Sequence, residues 1–281
     1  MAGVRLVATD LDGTIVRADG TVSARTVAAF DACAAHGVDV VIVTGRPARW
    51  LGPVVEATGH RGTAVCGNGA VVYDLAAGRV VTSQTVARAD VVALIERLRA
   101  VIGPVDVALE TLAGFRREQG YRTRWDATTD QDVGTLEALL ADDPGVLKVL
   151  VRQEGSTGDA MLRAARPALD GIAQPTHSNV NDCLLEISAL GVSKAATLAA
   201  LTGERGLTPD DVVAFGDMPN DVEMLRWAGR GYAMADGHPE AVAAADAVAP
   251  PCEEDGVAQV IEDLLNQAPV RSRAANEPPT T

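Results

Sequence analysis

Paired cysteines are missing from this chain. Its four cysteines, Cys33, Cys66, Cys183 and Cys252, are scattered with no Cys-x-x-Cys spacing, which argues against a zinc site or a disulfide framework. Long apolar runs are missing too. No stretch approaches the ~20 apolar residues of a membrane span, and the start MAGVRLVATDLDG has no signal-peptide core. Positive charge is in short supply, with 24 Lys and Arg against 38 Asp and Glu for a net charge of −14 and no basic run. Such a surface repels phosphate backbones and anionic lipid, so neither nucleic acid nor membrane is expected as a partner. Lysine is the rarest cation, present only as Lys148 and Lys194. No internal repeat or low-complexity segment interrupts the 281 residues. What remains is ordinary globular composition, 47% hydrophobic and 22% charged, long enough for one large domain or two modest ones. A cytoplasmic protein, a monomer or small homo-oligomer, is expected.

The rhythm along the chain is that of an α/β protein. Val4 to Thr9 reads as a strand and stops at Asp10-Leu11-Asp12-Gly13-Thr14. A helix capped by Ser23 and closed by Gly37 follows, with Val27, Phe30 and Ala34 at helical spacing. Val38 to Val43 is a nearly unbroken apolar run that suits a parallel strand buried on both faces. Ala64 to Cys66 reads as a short strand leading into Gly67-Asn68-Gly69, a hairpin-turn signal before Ala70 to Tyr73, with a direct role in a functional site as the alternative reading. From about Ser83 the pattern changes to helices and strands separated by polar loops, including the arginine-bearing stretch with Arg116, Arg117, Arg122 and Arg124. After Gly191 the first rhythm returns, with a helix from Lys194 and a strand Val212 to Phe215. The expected plan is a core of residues 1–82 and 188–268, an inserted α+β module at 83–187, and a disordered tail at 269–281.

Functional groups in open parallel sheets collect beyond the carboxyl ends of the strands, and three of the four notable polar stretches fall there. Asp10 and Asp12 follow the first strand. Such carboxylates can ligate Mg²⁺, attack phosphorus or trade protons; the same string also suits a turn. Thr44 and Gly45 end the second long strand and offer a hydroxyl and backbone N–H groups to phosphoryl oxygens, or simply cap a helix. Lys194 opens a helix, where a compact ammonium neutralises phosphoryl charge as a point. Gly216-Asp217-Met218-Pro219-Asn220-Asp221 follows a buried strand, and its two carboxylates with Asp10 would complete an oxygen-rich Mg²⁺ pocket.

Together these four stretches resemble the motifs of the haloacid dehalogenase-like (HAD) phosphohydrolase superfamily. The strings VTGR, GNGA, LLEI followed by GVSK, and EDGVAQVIEDLL further resemble its Cof-type, subclass IIB members. The chain departs from the pattern at Ala195, where many relatives carry Gly, and at Met218-Pro219. The resemblance implies a Rossmann-like core with a parallel sheet and an inserted α+β cap that sets substrate specificity. It further implies a Mg²⁺-dependent phosphatase acting on a small phosphomonoester, such as a sugar phosphate, a polyol phosphate or a phosphorylated cofactor. In that scheme Asp10 is the nucleophile that forms an aspartyl-phosphate, and Asp12 the acid and base. Thr44, Gly45, Lys194 and Asn220 bind the phosphoryl group. Asp10, the Asp12 carbonyl and Asp217 hold Mg²⁺, with Asp221 as ligand or supporting carboxylate. A phosphomutase of the same superfamily and a non-enzymatic phosphoacceptor receiver share much of this set. A receiver lacks the long insertion and the second acidic residue two positions beyond the first.

Overall fold

The computed structural model describes residues 3–123 and 131–267; Arg124 and the tail expected to be disordered lie outside them. In chain order the elements begin β1 (Leu6–Thr9), α1 (Ala24–Ala35), β2 (Asp39–Val43), α2 (Gly52–Thr58), β3 (Thr63–Cys66), β4 (Val71–Asp74) and β5 (Arg79–Ser83). Next come α3 (Arg88–Ile102), β6 (Asp106–Thr111), β7 (Gly114–Glu118), β8 (Gln131–Gly134), α4 (Leu136–Leu139) and β9 (Val146–Arg152). These are followed by α5 (Gly158–Ala168), β10 (Ala173–Thr176), β11 (Leu184–Ala189), α6 (Lys194–Glu204) and β12 (Val212–Gly216). The described chain closes with α7 (Val222–Trp227), β13 (Arg230–Met234), α8 (Pro239–Ala244), β14 (Ala247–Ala249) and α9 (Gly256–Gln267).

Two sheets result. The first runs β14-β13-β12-β1-β2-β3-β4-β5, parallel from β14 to β3 and antiparallel through β4 and β5. Its central strands are apolar because both faces are covered. Leu6, Ala8, Val41 and Val43 join a core with Leu198, Met224 and Leu225 from α6 and α7. Val7 and Ile42 point the other way, into a core with Phe30 of α1 and Ile261 of α9. Alternation of successive side chains through the sheet dictates this division, and each fully buried Val, Leu or Ile contributes roughly 1.5–3 kcal/mol.

The second sheet runs β10-β11-β9-β6-β7-β8 and is antiparallel except for the β7–β8 pair. One face packs on α3 and α5 through residues such as Leu94, Leu98, Val149, Val151, Met161 and Leu162. The alternate residues of β9 and β11 include Lys148, Arg152 and Glu186, all buried. Lys148 reaches the backbone of the first sheet's unit, where its Nζ donates to the Gly45 carbonyl at 3.0 Å.

The arginine-bearing stretch expected as a loop contains a strand, β7. Arg116 there is neutralised within its own sheet unit by Asp142 at 2.5 Å and Asp132 at 3.3 Å. Among the described residues no helix is long and apolar enough to cross a membrane.

Candidate active site

The strand order β12-β1-β2 sets three carboxyl ends side by side, and each carries a polar residue. Asp10 extends the ladder one step beyond β1, its N–H donating to the Phe215 carbonyl at 3.0 Å. Thr44 does the same beyond β2, bonding to the Val65 carbonyl at 2.8 Å. Asp217 follows β12 directly. Asp10 and Thr44 are therefore positioned by backbone pairing, and Asp217 by its place directly after β12.

Lys194 enters from the first turn of α6, whose N-cap Ser193 accepts from the Ala196 N–H at 3.2 Å. Its side chain is fully buried, and Nζ donates to Asp10 Oδ1 at 2.6 Å and Asp221 Oδ1 at 2.7 Å. An ammonium has three protons, so one remains for a ligand. Asp221 is saturated differently. Its Oδ2 accepts from the N–H groups of Asp217 and Met218 at 3.1 and 3.0 Å, which folds the loop after β12 around it. Asp217 accepts from the Thr14 hydroxyl at 3.2 Å. Gly13, at φ +78°, lies against that carboxylate, where a Cβ would collide.

Asp10, Asp217 and Asp221 bring carboxylate oxygens within 4.8 Å of one another. Burial, above all, raises the Asp10 carboxyl from 3.8 to about 7; Lys194 opposes this and Asp221 reinforces it. Burial and the charges of Asp10 and Asp221 push Asp217 well above the usual carboxylate range. Burial works against the Lys194 ammonium too, but Asp10 and Asp221 hold its pKa above the ordinary lysine value. Three buried carboxylates thus face one ammonium. This excess of hard oxygen donors and negative charge fits a divalent cation such as Mg²⁺.

The Asp12 carboxylate stands apart from the cluster. It is more than half exposed and is held by Arg46, whose Nε donates to Oδ2 at 2.7 Å. Thr44 Oγ1 accepts from the Arg46 N–H at 3.0 Å, which leaves the hydroxyl proton for another acceptor. Asn220 Nδ2 donates to Asn68 Oδ1 at 3.0 Å. Gly67-Asn68-Gly69 does turn β3 into β4, with Asn68 at φ 57°. Its side chain also points into the site, as do Glu186 and Lys148 of the second sheet. Sequence reasoning did not assign Glu186 or Lys148 to the site, although the rarity of lysine had marked Lys148, and it held a site role for Asn68 only as the alternative to a turn. A cavity of about 570 Å³ adjoins the cluster and is lined by Asn68, Lys194, Asn220 and Ser188 among others.

The chain matches the family model for haloacid dehalogenase-like hydrolases over residues 7–261. It is 29% identical over 276 residues to the 5-amino-6-(5-phospho-D-ribitylamino)uracil phosphatase YitU of Bacillus subtilis, covering 93% of this chain and 97% of that one. It is 27% identical over 260 residues to a phosphoglycolate phosphatase of Halorubrum lacusprofundi, covering 92% and 96%. Its fold is similar to that of the HAD subclass IIB sugar phosphatase BT4131, with a TM-score of 0.78, 20% identity, and coverage of 92% and 98%. With a Rossmann-like parallel sheet, an acidic cluster at its strand ends and a family match across most of its length, this chain belongs to the haloacid dehalogenase-like hydrolase family.

Proposed function

We propose that the protein is a Mg²⁺-dependent phosphatase that hydrolyses a small phosphomonoester through an aspartyl-phosphate on Asp10. One observation carries this reading: a buried carboxylate bonded to a buried lysine, with two further carboxylates at the next strand end. Asp10 and Asp217, with the Asp12 carbonyl, would hold the cation, while Asp221 supports them by fixing Lys194 and the loop. Bound there, Mg²⁺ supplies positive charge that offsets repulsion between the nucleophile and the phosphoryl oxygens.

Lys194 fixes Asp10 through Oδ1, and among the described residues no hydrogen bond is directed at Oδ2. In the first step an Asp10 oxygen attacks phosphorus, the bond to the leaving oxygen breaks, and Asp12 donates a proton to that oxygen. In the second step Asp12 accepts a proton from water, which attacks the phosphoryl group and restores the Asp10 carboxylate. The third proton of Lys194, the Thr44 hydroxyl, the Gly45 loop and Asn220 hold the phosphoryl oxygens. Two covalent steps divide one difficult hydrolysis into easier ones. Residues 83–187 serve as a cap over a core formed by 1–82 and 188–268, and exclude water while transfer proceeds.

The names of the two curated relatives point to small phosphorylated metabolites as the substrate class. Purified protein should release p-nitrophenol from p-nitrophenyl phosphate when Mg²⁺ is present and stop when the metal is chelated. Undiminished turnover after exhaustive chelation would refute the metal requirement. No release with any of a panel of metabolite monophosphates would refute the activity.

A further inference from the structure

A chain of buried hydrogen bonds runs from the second sheet into the site. Lys148 on β9 donates to Glu186 Oε1 on β11 at 2.6 Å, as well as to the Gly45 carbonyl. Glu186 Oε2 accepts from Asn68 Nδ2 at 2.9 Å, and Asn68 Oδ1 accepts from Asn220 Nδ2. Lys148, Glu186, Asn68 and Asn220 are each more than nine-tenths buried. Burial alone would raise the Glu186 carboxyl. The Lys148 charge and hydrogen bonds from Lys148, Asn68 and Ser178 instead hold it below the usual carboxylate range.

The direction of each bond follows from that charge. An ionised carboxylate only accepts, so Asn68 must turn its NH₂ group to Glu186. Its carbonyl oxygen is then left for Asn220, which must present its own NH₂ group in turn. One carboxylate on the second sheet therefore orients two amides on the first. The consequence is visible at the end of the chain, where Asn220 Oδ1 is buried without a partner and its residue lines the cavity beside Lys194. The Asn220 NH₂ group has a second proton besides the one given to Asn68, and that proton is the donor available to a phosphoryl oxygen. A half-turn of either amide would set oxygen against oxygen or NH₂ against NH₂ and turn this donor away.

We propose that Glu186 is a positioning residue that sets the orientation of the Asn220 amide through Asn68, so that the phosphoryl site is ordered only while the second sheet lies on the core. This rests on the phosphatase reading above. Lifting the second sheet removes Glu186 and Lys148 together. The Asn68 and Asn220 amides then lose their imposed direction, and the Gly45 carbonyl loses its donor. A contact that only held the sheets together need not be polar, since apolar pairs of similar volume often stabilise as well as buried ion pairs.

The test is a double-mutant cycle on p-nitrophenyl phosphate hydrolysis with Mg²⁺, using wild type, Glu186→Gln, Asn220→Ala and the double variant. Glutamine keeps the shape of Glu186 but leaves an NH₂ group against either Lys148 or Asn68. The expected result is a loss of about tenfold in kcat for Glu186→Gln in the wild-type background. In the Asn220→Ala background the same change should cost less than about twofold, because its target is gone. Should Glu186→Gln fail to fold, Asn68→Gly breaks the same chain at a position whose positive φ suits glycine, and should show the same coupling. Equal losses in both backgrounds, or wild-type kcat in a folded Glu186→Gln protein, would overturn the positioning role alone. A wild-type protein inactive on this substrate would overturn the phosphatase reading and the positioning role with it.

Discussion

At the scale of single residues, the site is held together by groups that would be unstable one at a time. Lys194 has no exposed side-chain surface and answers two buried carboxylates. Removing one partner from such an arrangement leaves uncompensated charge, typically at a cost of ~3–5 kcal/mol. Lys194→Ala should therefore lower unfolding stability by about that amount as well as abolish turnover, which urea denaturation can measure. Asp10→Asn should act in the opposite sense on stability. The rise of the Asp10 carboxyl to about 7 already includes the attraction of Lys194, so above that pH the fold bears a net cost for the ionised group. The amide should abolish turnover yet raise the melting temperature of the metal-free protein at pH 8; a drop in both would contradict the argument. Asp10, Thr44, Lys194 and Asp217 were legible in the sequence because each follows an apolar strand or opens a helix. Glu186 was not, and Asn68 was legible only as an alternative to a turn. GNG reads as a turn and LLEI as a strand, and both readings are right as far as the backbone goes. Which way those two side chains point depends on how one sheet lies against the other.

At the scale of elements, the strands hidden from sequence reasoning share a position. β5, β14, β8 and β10 are the four sheet edges, and β7 lies next to one of them. An edge strand need not be apolar on both faces: β5 is exposed along its whole length, and β10 carries Pro175. Central β1, β2 and β12 show as apolar runs because helices cover them on both sides. Turn geometry was legible in outline, but its tertiary role was not. Gly69, at φ +106°, packs against the Ser193 carbonyl, and its own carbonyl accepts from the Thr197 hydroxyl of α6 at 2.7 Å. A methyl group there would strain the backbone and push on the residue that precedes Lys194. Gly69→Ala should thus destabilise by more than ~1 kcal/mol and lower kcat, because it displaces the start of the helix that carries the site's ammonium. A variant with the wild-type denaturation midpoint and wild-type kcat would show that the turn and α6 are not coupled.

At the scale of the whole molecule, polar contacts tie the two sheet units together around the site. Arg49 pairs with Glu110, Arg166 with Glu240 at 2.7 Å, and Gln174 donates to Glu223 at 2.8 Å. Behind them Asp159 Oδ1, on α5, meets His177 Nε2 at 2.8 Å and His238 Nε2 at 3.1 Å. Three such groups can hold a metal ion, but His238 Nδ1 accepts from the Glu240 N–H at 3.1 Å. That bond places the ring proton of neutral His238 on Nε2, the atom a metal would need, so Asp159 acts here as an acceptor bridging two imidazoles. His177 is buried between α5 and the core unit, facing Asp159 and His238. Burial lowers its pKa below 6.5, aided by His238 and opposed by Asp159. The sign of the pH dependence follows. Below 6.5 the unfolded chain takes up a proton that the folded chain resists, so the stability from neutral His177 is complete above 6.5 and declines as pH falls through that value. His60, also buried with a lowered pKa, adds a dependence of the same sign, so the comparison must be made between variants. Melting temperatures of the metal-free protein measured from pH 8 to pH 5.5 should fall less steeply for His177→Gln than for wild type. Parallel curves would show that His177 keeps its neutral form at no cost, and that the seam between the two units does not respond to acid through this ring.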